Sequence, residues 1–315
     1  MPGLAVALLL LAGSYLGWNI GANDSANCAG AAVGSRLLSY RRAMGLVAAF
    51  AILGALLGSA KVVETVGKGI VAAELPWQAL LVAMGSAGLC VTLATVFRLP
   101  VSTSQAIVGA LIGIGLAAGA PVNLSVISGI VGVWAISPAL ALVLSFILYH
   151  LVALLLRSIR RSGVLSDLLN WLILASAAYA AFSLGANNIG NAIGPLANLG
   201  LRSGWITLLG GLALGSGALT YGQRVTETVA RGVVPLDPLS AFATQTAIAL
   251  VGHGFAFAGI PISISQAVVG ALAGIGLVKG VRTVSYEMLV AIAIGWVGTP
   301  AVAGLLAYGL WKLIA

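Results

Sequence analysis

The sequence predicts an all-α polytopic membrane protein built from two inverted-topology repeats with broken or re-entrant helices. Three observations carry this. The 315 residues are 60% hydrophobic and 7% charged, with a mean hydropathy of +1.11; a soluble domain carries roughly 25% charged residues. Several short motifs return in the same order at a near-constant spacing. The basic residues cluster in short loops between apolar runs, so the net charge of +8 reflects membrane topology rather than a nucleic-acid partner.

Taken in order, apolar runs cover about residues 3–20, 43–60, 76–97, 100–119 and 123–156, then 166–184, 204–222, 238–258, 261–278 and 286–313. A helix needs ~20 residues to cross a ~30 Å hydrocarbon core, so ten or so spans in a lipid bilayer are expected. No basic residue precedes the first run, which therefore reads as a retained helix rather than a signal peptide. The stretches 3–35 and 166–200 are interrupted by Gly and Asn and read as broken helices or as spans with a re-entrant piece. The 42 glycines suit close helix packing in a membrane. Cys28 and Cys90, in apolar context, offer neither a disulfide framework nor metal-ligand spacing.

The repeat is explicit. Pro100-Val-Ser-Thr-Ser-Gln-Ala-Ile-Val-Gly-Ala-Leu returns at Pro261 as Pro-Ile-Ser-Ile-Ser-Gln-Ala-Val-Val-Gly-Ala-Leu, a separation of 161 residues, and Gly21-Ala-Asn-Asp returns at Gly185 as Gly-Ala-Asn-Asn, a separation of 164. Lys61-Val-Val-Glu-Thr-Val matches Arg224-Val-Thr-Glu-Thr-Val, and Trp134-Ala-Ile-Ser-Pro138 matches Trp296-Val-Gly-Thr-Pro300. Residues 1–160 and 161–315 are the expected membrane repeats. With the N-terminus outside and one crossing per run, the first repeat has an odd number of crossings and the second enters upside down. Arg36, Arg41, Arg42, Arg98, Arg157, Arg160, Arg161, Arg224, Arg231, Lys279 and Arg282 then face inward, eleven against the four outward Lys61, Lys68, Arg202 and Lys312. The positive-inside rule thus predicts both termini outside. Inverted repeats with interrupted helices mark transporters whose site lies near the midplane at the repeat interface.

Two motif pairs carry the chemistry. Ser102, Thr103, Ser104 and Gln105 follow Pro100, and Ser263, Ser265 and Gln266 follow Pro261; each reads as a helix N-terminus. Free N–H groups and the positive dipole end favour an anion there, and uncharged hydroxyls add donors. Two such ends converging would cradle a compact tetrahedral oxyanion; ordinary helix capping is the plainer reading. Asp24 repels such an anion and so calls for a cation. Carboxylate, amide and carbonyl oxygens at Asp24, Asn23, Asn187 and Asn188 suit a hard cation such as Na⁺, although an amide network bracing a helix would use the same residues. Glu64 and Glu227 occupy matching places just past helix ends. They read either as surface ion pairs with the neighbouring Lys and Arg, or as gating or coupling carboxylates. His150 and His253 read as packing or interfacial groups. No Ser-His-Asp order, Cys cluster or Gly-rich nucleotide loop points to an enzyme or a resident cofactor.

These residues resemble the inorganic phosphate transporter (PiT) family from about Asn19 to the C-terminus. The family's Gly-Ala-Asn-Asp signature is matched at 21–24 and less fully at 185–188, its Pro-Val-Ser-Thr segment at 100–103 and partly at 261–265, and its Glu-Thr segments at Glu64 and Glu227. The resemblance implies phosphate symport with Na⁺ or H⁺ across the cytoplasmic membrane, commonly by a homodimer. It implies that Asn23, Asp24, Asn27, Asn187, Asn188 and Asn191 line the phosphate and cation sites with the Ser/Thr segments. Asn27 and Asn191 are assigned to phosphate with the helix ends, and Na⁺ rather than H⁺ is the expected partner at Asp24. Three departures stand out. The family carries Asp where this chain has Asn188, which implies that one cation site is weakened or absent. It often has Ser-Thr-Thr-His where this chain has Ser-Thr-Ser-Gln and Ser-Ile-Ser-Gln, which removes two groups that titrate near neutrality. The long central hydrophilic loop of some relatives is reduced to a few basic residues. A related branch carries sulfate, so a permease for sulfate or another tetrahedral oxyanion is the alternative, with an ion channel behind it.

Overall fold

The computed structural model describes residues 3–34, 37–97, 101–159, 161–197, 203–223, 236–280 and 286–315. The described chain is helical: α1 (Gly3–Gly34), α2 (Tyr40–Gly58), α3 (Ala60–Glu64) running into a π turn at Thr65–Gly69, α4 (Trp77–Val96), α5 (Thr103–Ala117), α6 (Leu124–Leu156), α7 (Ser162–Ile193) ending in a 3₁₀ turn at Gly194–Leu196, α8 (Ser203–Thr220), α9 (Pro238–Phe257), α10 (Ile264–Lys279) and α11 (Tyr286–Ile314). Among the described residues six helices are long and apolar enough to cross a membrane. Large apolar side chains such as Leu57, Leu124, Trp171, Trp205 and Leu313 are exposed. On a soluble surface such a spread would be a liability; here it is the lipid-facing skin.

The helix breaks differ from expectation in their position. The Asn-rich stretch at 21–27 does not interrupt its helix: α1 runs unbroken for 32 residues, and α7 carries the second motif to Ile193 before tightening. The reason is that the motif side chains find partners on other helices and leave their own backbone ladder intact. The breaks fall between α4 and α5 and between α9 and α10, where Pro100 and Pro261 cannot donate a ladder hydrogen bond. Gly259, at φ 79°, turns the chain out of α9 in a conformation that favours glycine.

These breaks make two re-entrant hairpins. With 15 residues, α5 is roughly 22 Å long, short of a full span. Both ends of the α4–α5 hairpin lie on one side: Val71 and Val122 form an antiparallel bridge, flanked by Ala72 N–H to Pro121 O and Asn123 N–H to Ile70 O, each 2.9 Å. The base of the α9–α10 hairpin is closed by the ion pair of Lys279 with Asp237. The runs at 100–119 and 261–278, expected as spans, form the short arms of hairpins whose tips bond to each other, Ser104 to Ile262 O and Ser265 to Val101 O, and so read as returning arms. The first half then crosses by α1, by α2 with its extension, and by α6. That number is still odd, so the inversion of the second half is kept.

The halves interlock. α5 packs on α11 of the other half, and α10 on α6. A Cβ on Gly109 would stand 2.2 Å from the Pro300 carbonyl oxygen, and one on Gly270 would stand 1.9 Å from that of Pro138. Only glycine allows backbones to meet so closely, and the same contact occurs twice, once per half. The short arms of the hairpins are thereby pressed against the long helices of the opposite half.

Candidate functional site between the hairpin tips

Asp24, on α1, is 1% exposed. Its Oδ2 accepts from Thr103 Oγ1 at 2.8 Å and from Asn188 Nδ2 at 3.0 Å. The first donor sits on the tip of one hairpin and the second in the motif of the other half, so the carboxylate joins both halves. A buried carboxylate is costly unless a charge offsets it. Among the described residues no Lys, Arg or His pairs with it; the ion pair present is Lys279–Asp237, far off at a hairpin base.

The two tips meet beside it. Ser104 Oγ donates to Ile262 O at 2.7 Å, and Ser265 Oγ donates to Val101 O at 3.3 Å. Each tip thus lends a hydroxyl to the other's backbone, at positions related by the repeat. Ser102 and Ser263 cap the following helices, accepting from Gln105 N and Gln266 N at 3.3 Å each. The N-termini of α5 and α10 therefore converge, as the sequence led us to expect, and here the hydroxyls are engaged with protein partners. Asn191 Nδ2 donates to Ser104 Oγ at 2.8 Å. The side-chain carbonyl oxygens of Gln105, Gln266, Asn188 and Asn191 are buried without a donor. Orphaned acceptors of this kind suit a cation directly, and an amide that turns over presents N–H to an anion.

Asn23 and Asn187 tie each motif helix to the hairpin of its own half. Asn23 Nδ2 donates to Thr95 Oγ1 on α4 at 2.9 Å. Asn187 Nδ2 donates to Ile260 O at 3.1 Å and Gly252 O at 3.3 Å, while its Oδ1 accepts from Ile262 N at 3.0 Å. Asn27 is half-buried one turn beyond Asn23. Glu64 is exposed at the end of α3 and makes no ion pair with Lys61 or Lys68, contrary to the ion-pair reading. Lys61 Nζ lies over the Phe257 ring, 4.4 Å from its centre. Glu227, its counterpart in the repeat, lies outside the described residues. Cys28 and Cys90 are buried free thiols.

Sequence reasoning missed several supports. Thr95 lies in an apolar run and gave no signal beyond being a hydroxyl three residues from Thr92. Gln245 on α9 links three helices, with Ser176 Oγ donating to its Oε1 and its Nε2 donating to Cys28 O, both at 2.8 Å. Trp134 Nε1 donates to Pro261 O at 3.0 Å and pins the second tip; the Trp-Pro repeat was visible, its role was not. At the base of that hairpin, burial opposes the charge on Asp237, yet hydrogen bonds from Lys279 and Ser240 and the ammonium charge hold its carboxyl below the ordinary range.

An inverted-repeat membrane fold with two hairpin tips closed around the buried Asp24 carboxylate places the protein among membrane transporters. Comparison with known proteins narrows the class. The sequence profile of the phosphate transporter family matches residues 20–166 and 157–307. A Methanocaldococcus jannaschii protein that carries the name phosphate permease is 33% identical over 99% of this chain and 98% of its own. A chloroplastic inorganic phosphate transporter of Arabidopsis thaliana is 28% identical over 95% of this chain and 70% of its own. A solved structure of a sodium-dependent phosphate transporter superposes with a TM-score of 0.91 at 24% identity, covering 99% of each chain, and shares the fold. The chain belongs to the phosphate transporter family.

Proposed function

We propose that the protein imports inorganic phosphate by symport with a cation, Na⁺ rather than H⁺, across the cytoplasmic membrane. The observation that carries this reading is Asp24: a carboxylate buried between two convergent helix N-termini, with no cationic side chain among the described residues to offset it. An anion alone would be repelled there; an anion arriving with a cation would not. In this reading Asp24, Asn188, Asn23 and Asn187 hold the cation. Ser102, Thr103, Ser104, Gln105, Ser263, Ser265 and Gln266, with Asn27 and Asn191, receive phosphate. Glu64 and Glu227 act in gating or coupling. The repeats are 1–160 and 161–315, one part of the protein moves about this centre, both termini face outward, and two chains form a homodimer. The sodium-dependent phosphate transporter that shares the fold supports the choice of Na⁺.

The test is labelled phosphate uptake into proteoliposomes with a Na⁺ gradient or a pH gradient imposed separately. Uptake driven by the Na⁺ gradient is expected, with excess unlabelled phosphate competing and sulfate not. Uptake driven only by the pH gradient would move the coupling to H⁺. Competition by sulfate alone would overturn phosphate as the cargo.

A further inference from the structure

The two halves differ at the one place where symmetry would put a second copy of the Asp24 site. We infer that each transport cycle couples a single cation to phosphate, because only the first half carries an acid and a hydroxyl in contact at its hairpin tip. The inference rests on the symport reading above and concerns the cation count alone.

By the repeat, Asp24 corresponds to Asn188 and Thr103 to Ile264. In the first half the pair is bonded, Thr103 Oγ1 to Asp24 Oδ2 at 2.8 Å. In the second half neither the charge nor the hydroxyl exists. Asn188 donates its Nδ2 to Asp24, across the halves, and its Oδ1 has no donor. Ile264 is 3% exposed. Its Cδ1 lies 3.1 Å from where a Cβ on Gly252 would stand. Gly252 corresponds in turn to the buried Val91 of the first half. The second half thus sets a glycine beside Ile264 and Ser183 where the first half has a valine. The apolar side chain is packed in, and interiors resist such changes unless a neighbour compensates.

Charge gives the same answer. A desolvated cation needs a negative partner within a few ångströms. Among the described residues Asp24 is the buried acid; Glu64, Glu74 and Asp167 are exposed, and Asp237 is held by Lys279. A second cation beside Asn188 would find no acid of its own and would have to share Asp24, whose carboxylate already accepts from the Asn188 amide at 3.0 Å.

The experiment measures the coupling ratio of the full-length protein in proteoliposomes clamped at zero membrane potential. Phosphate is the probe and the cation gradient is the variable. With one cation, a tenfold gradient holds about a tenfold phosphate accumulation; with two, about a hundredfold. The expected parent result is the first, with initial rates first-order in cation. The double variant Asn188→Asp with Ile264→Thr copies the first half onto the second and is expected to move the ratio towards two. A parent ratio of two overturns the inference and leaves symport standing. A folded double variant that keeps a ratio of one also overturns it, since the acid–hydroxyl pair would then not count cations. If the double variant does not fold, as judged by gel filtration, the parent ratio decides by itself. Uptake indifferent to every cation gradient overturns symport and the count together.

Discussion

Replacing Asp24 with asparagine tests the cation role most directly, because the substitution removes the charge and keeps the shape. Both hydrogen bonds that Asp24 accepts, from Thr103 at 2.8 Å and from Asn188 at 3.0 Å, converge on one oxygen. The amide oxygen of the substituted side chain can take that place, so the contact between the halves survives. What is lost is the attraction for the cation. Two unit charges 4 Å apart at an effective dielectric of 20 attract by about 4 kcal/mol, which is roughly a thousandfold in affinity. Phosphate uptake by the Asp24→Asn protein should therefore show a Na⁺ requirement shifted by about that factor, beyond any practical concentration. Its thermal stability in Na⁺-free detergent should equal or exceed that of the parent, because a buried charge without a counter-ion has been removed. The assay pairs initial uptake rates against Na⁺ with melting curves. An unchanged Na⁺ dependence would refute the cation role of Asp24. A large loss of stability in the absence of Na⁺ would refute the claim that its charge is uncompensated in the protein.

Four further outcomes are expected. The double variant Ser102→Ala with Ser263→Ala removes both helix caps, each worth about 1 kcal/mol, and should weaken equilibrium binding of labelled phosphate; binding equal to the parent's would show that the convergent helix ends do not form the cradle. Gly109→Ala drives a methyl to 2.2 Å from Pro300 O, so α5 and α11 must part by about 1 Å at a cost of about 1–3 kcal/mol; Gly270→Ala should cost a similar amount against Pro138, and a melting series in which either variant matches the parent would contradict the interlock. Gln245→Met places the residue of the matching position Met84, removes the links of α9 to Ser176 and to the Cys28 carbonyl, and should lower stability by about 1 kcal/mol, read by thermal melting. Because Lys279 holds the Asp237 carboxyl below its ordinary range, the contribution of that ion pair is present above pH ~4 and is lost as pH falls through the lowered value. The pair is a third exposed, so Lys279→Gln should change stability at pH 7 by less than about 1 kcal/mol, and the difference from the parent should vanish in acid melts.

The sequence carried the class, the repeat and the site residues further than it carried the course of the chain. The repeated Pro-Val-Ser-Thr and Gly-Ala-Asn motifs name Asp24, Thr103, Ser104, Asn188 and Asn191, and the structure bonds them in two neighbouring groups, Asp24 with Thr103 and Asn188, and Ser104 with Asn191, which meet at the adjacent residues Thr103 and Ser104. Hydropathy could not tell a returning arm from a span, because α5 and α10 are more apolar than the crossing helices α1 and α2 and differ from them in length and in where their ends lie. The helix breaks lie away from the Asn motifs for a physical reason. Asn and Gly within an apolar run read as interruptions, yet Asn23 and Asn187 are bonded to Thr95 and to the second tip, and an amide satisfied by a neighbour has no need to unwind its own helix. Gln245 was invisible because its partners, Ser176 and the Cys28 carbonyl, are far away in sequence and carry no pattern.

The exchange of hydroxyls between the tips gives the proposed symport a physical basis for coupling. Ser104 and Ser265 each satisfy a carbonyl of the opposite tip, Ile262 and Val101 respectively. A phosphate settling between the tips competes for those hydroxyl protons, and its charge makes it the stronger acceptor. Once the hydroxyls turn to the anion, the two carbonyls lose their donors inside the protein, where an unsatisfied acceptor costs about 1–3 kcal/mol. In the proposed symport a hard cation held by Asp24 would offset this loss, since carbonyl oxygens ligate such ions as carboxylates do. Without the cation the anion would leave two acceptors bare and face a carboxylate; without the anion the tips stay bonded to each other. Neither ligand then binds well by itself. It follows that phosphate should raise the apparent cation affinity by the same factor as the cation raises that of phosphate, and Ser104→Ala with Ser265→Ala should shrink both factors together. Equal coupling in parent and variant, measured by phosphate binding across a Na⁺ series, would separate the hydroxyl exchange from the coupling.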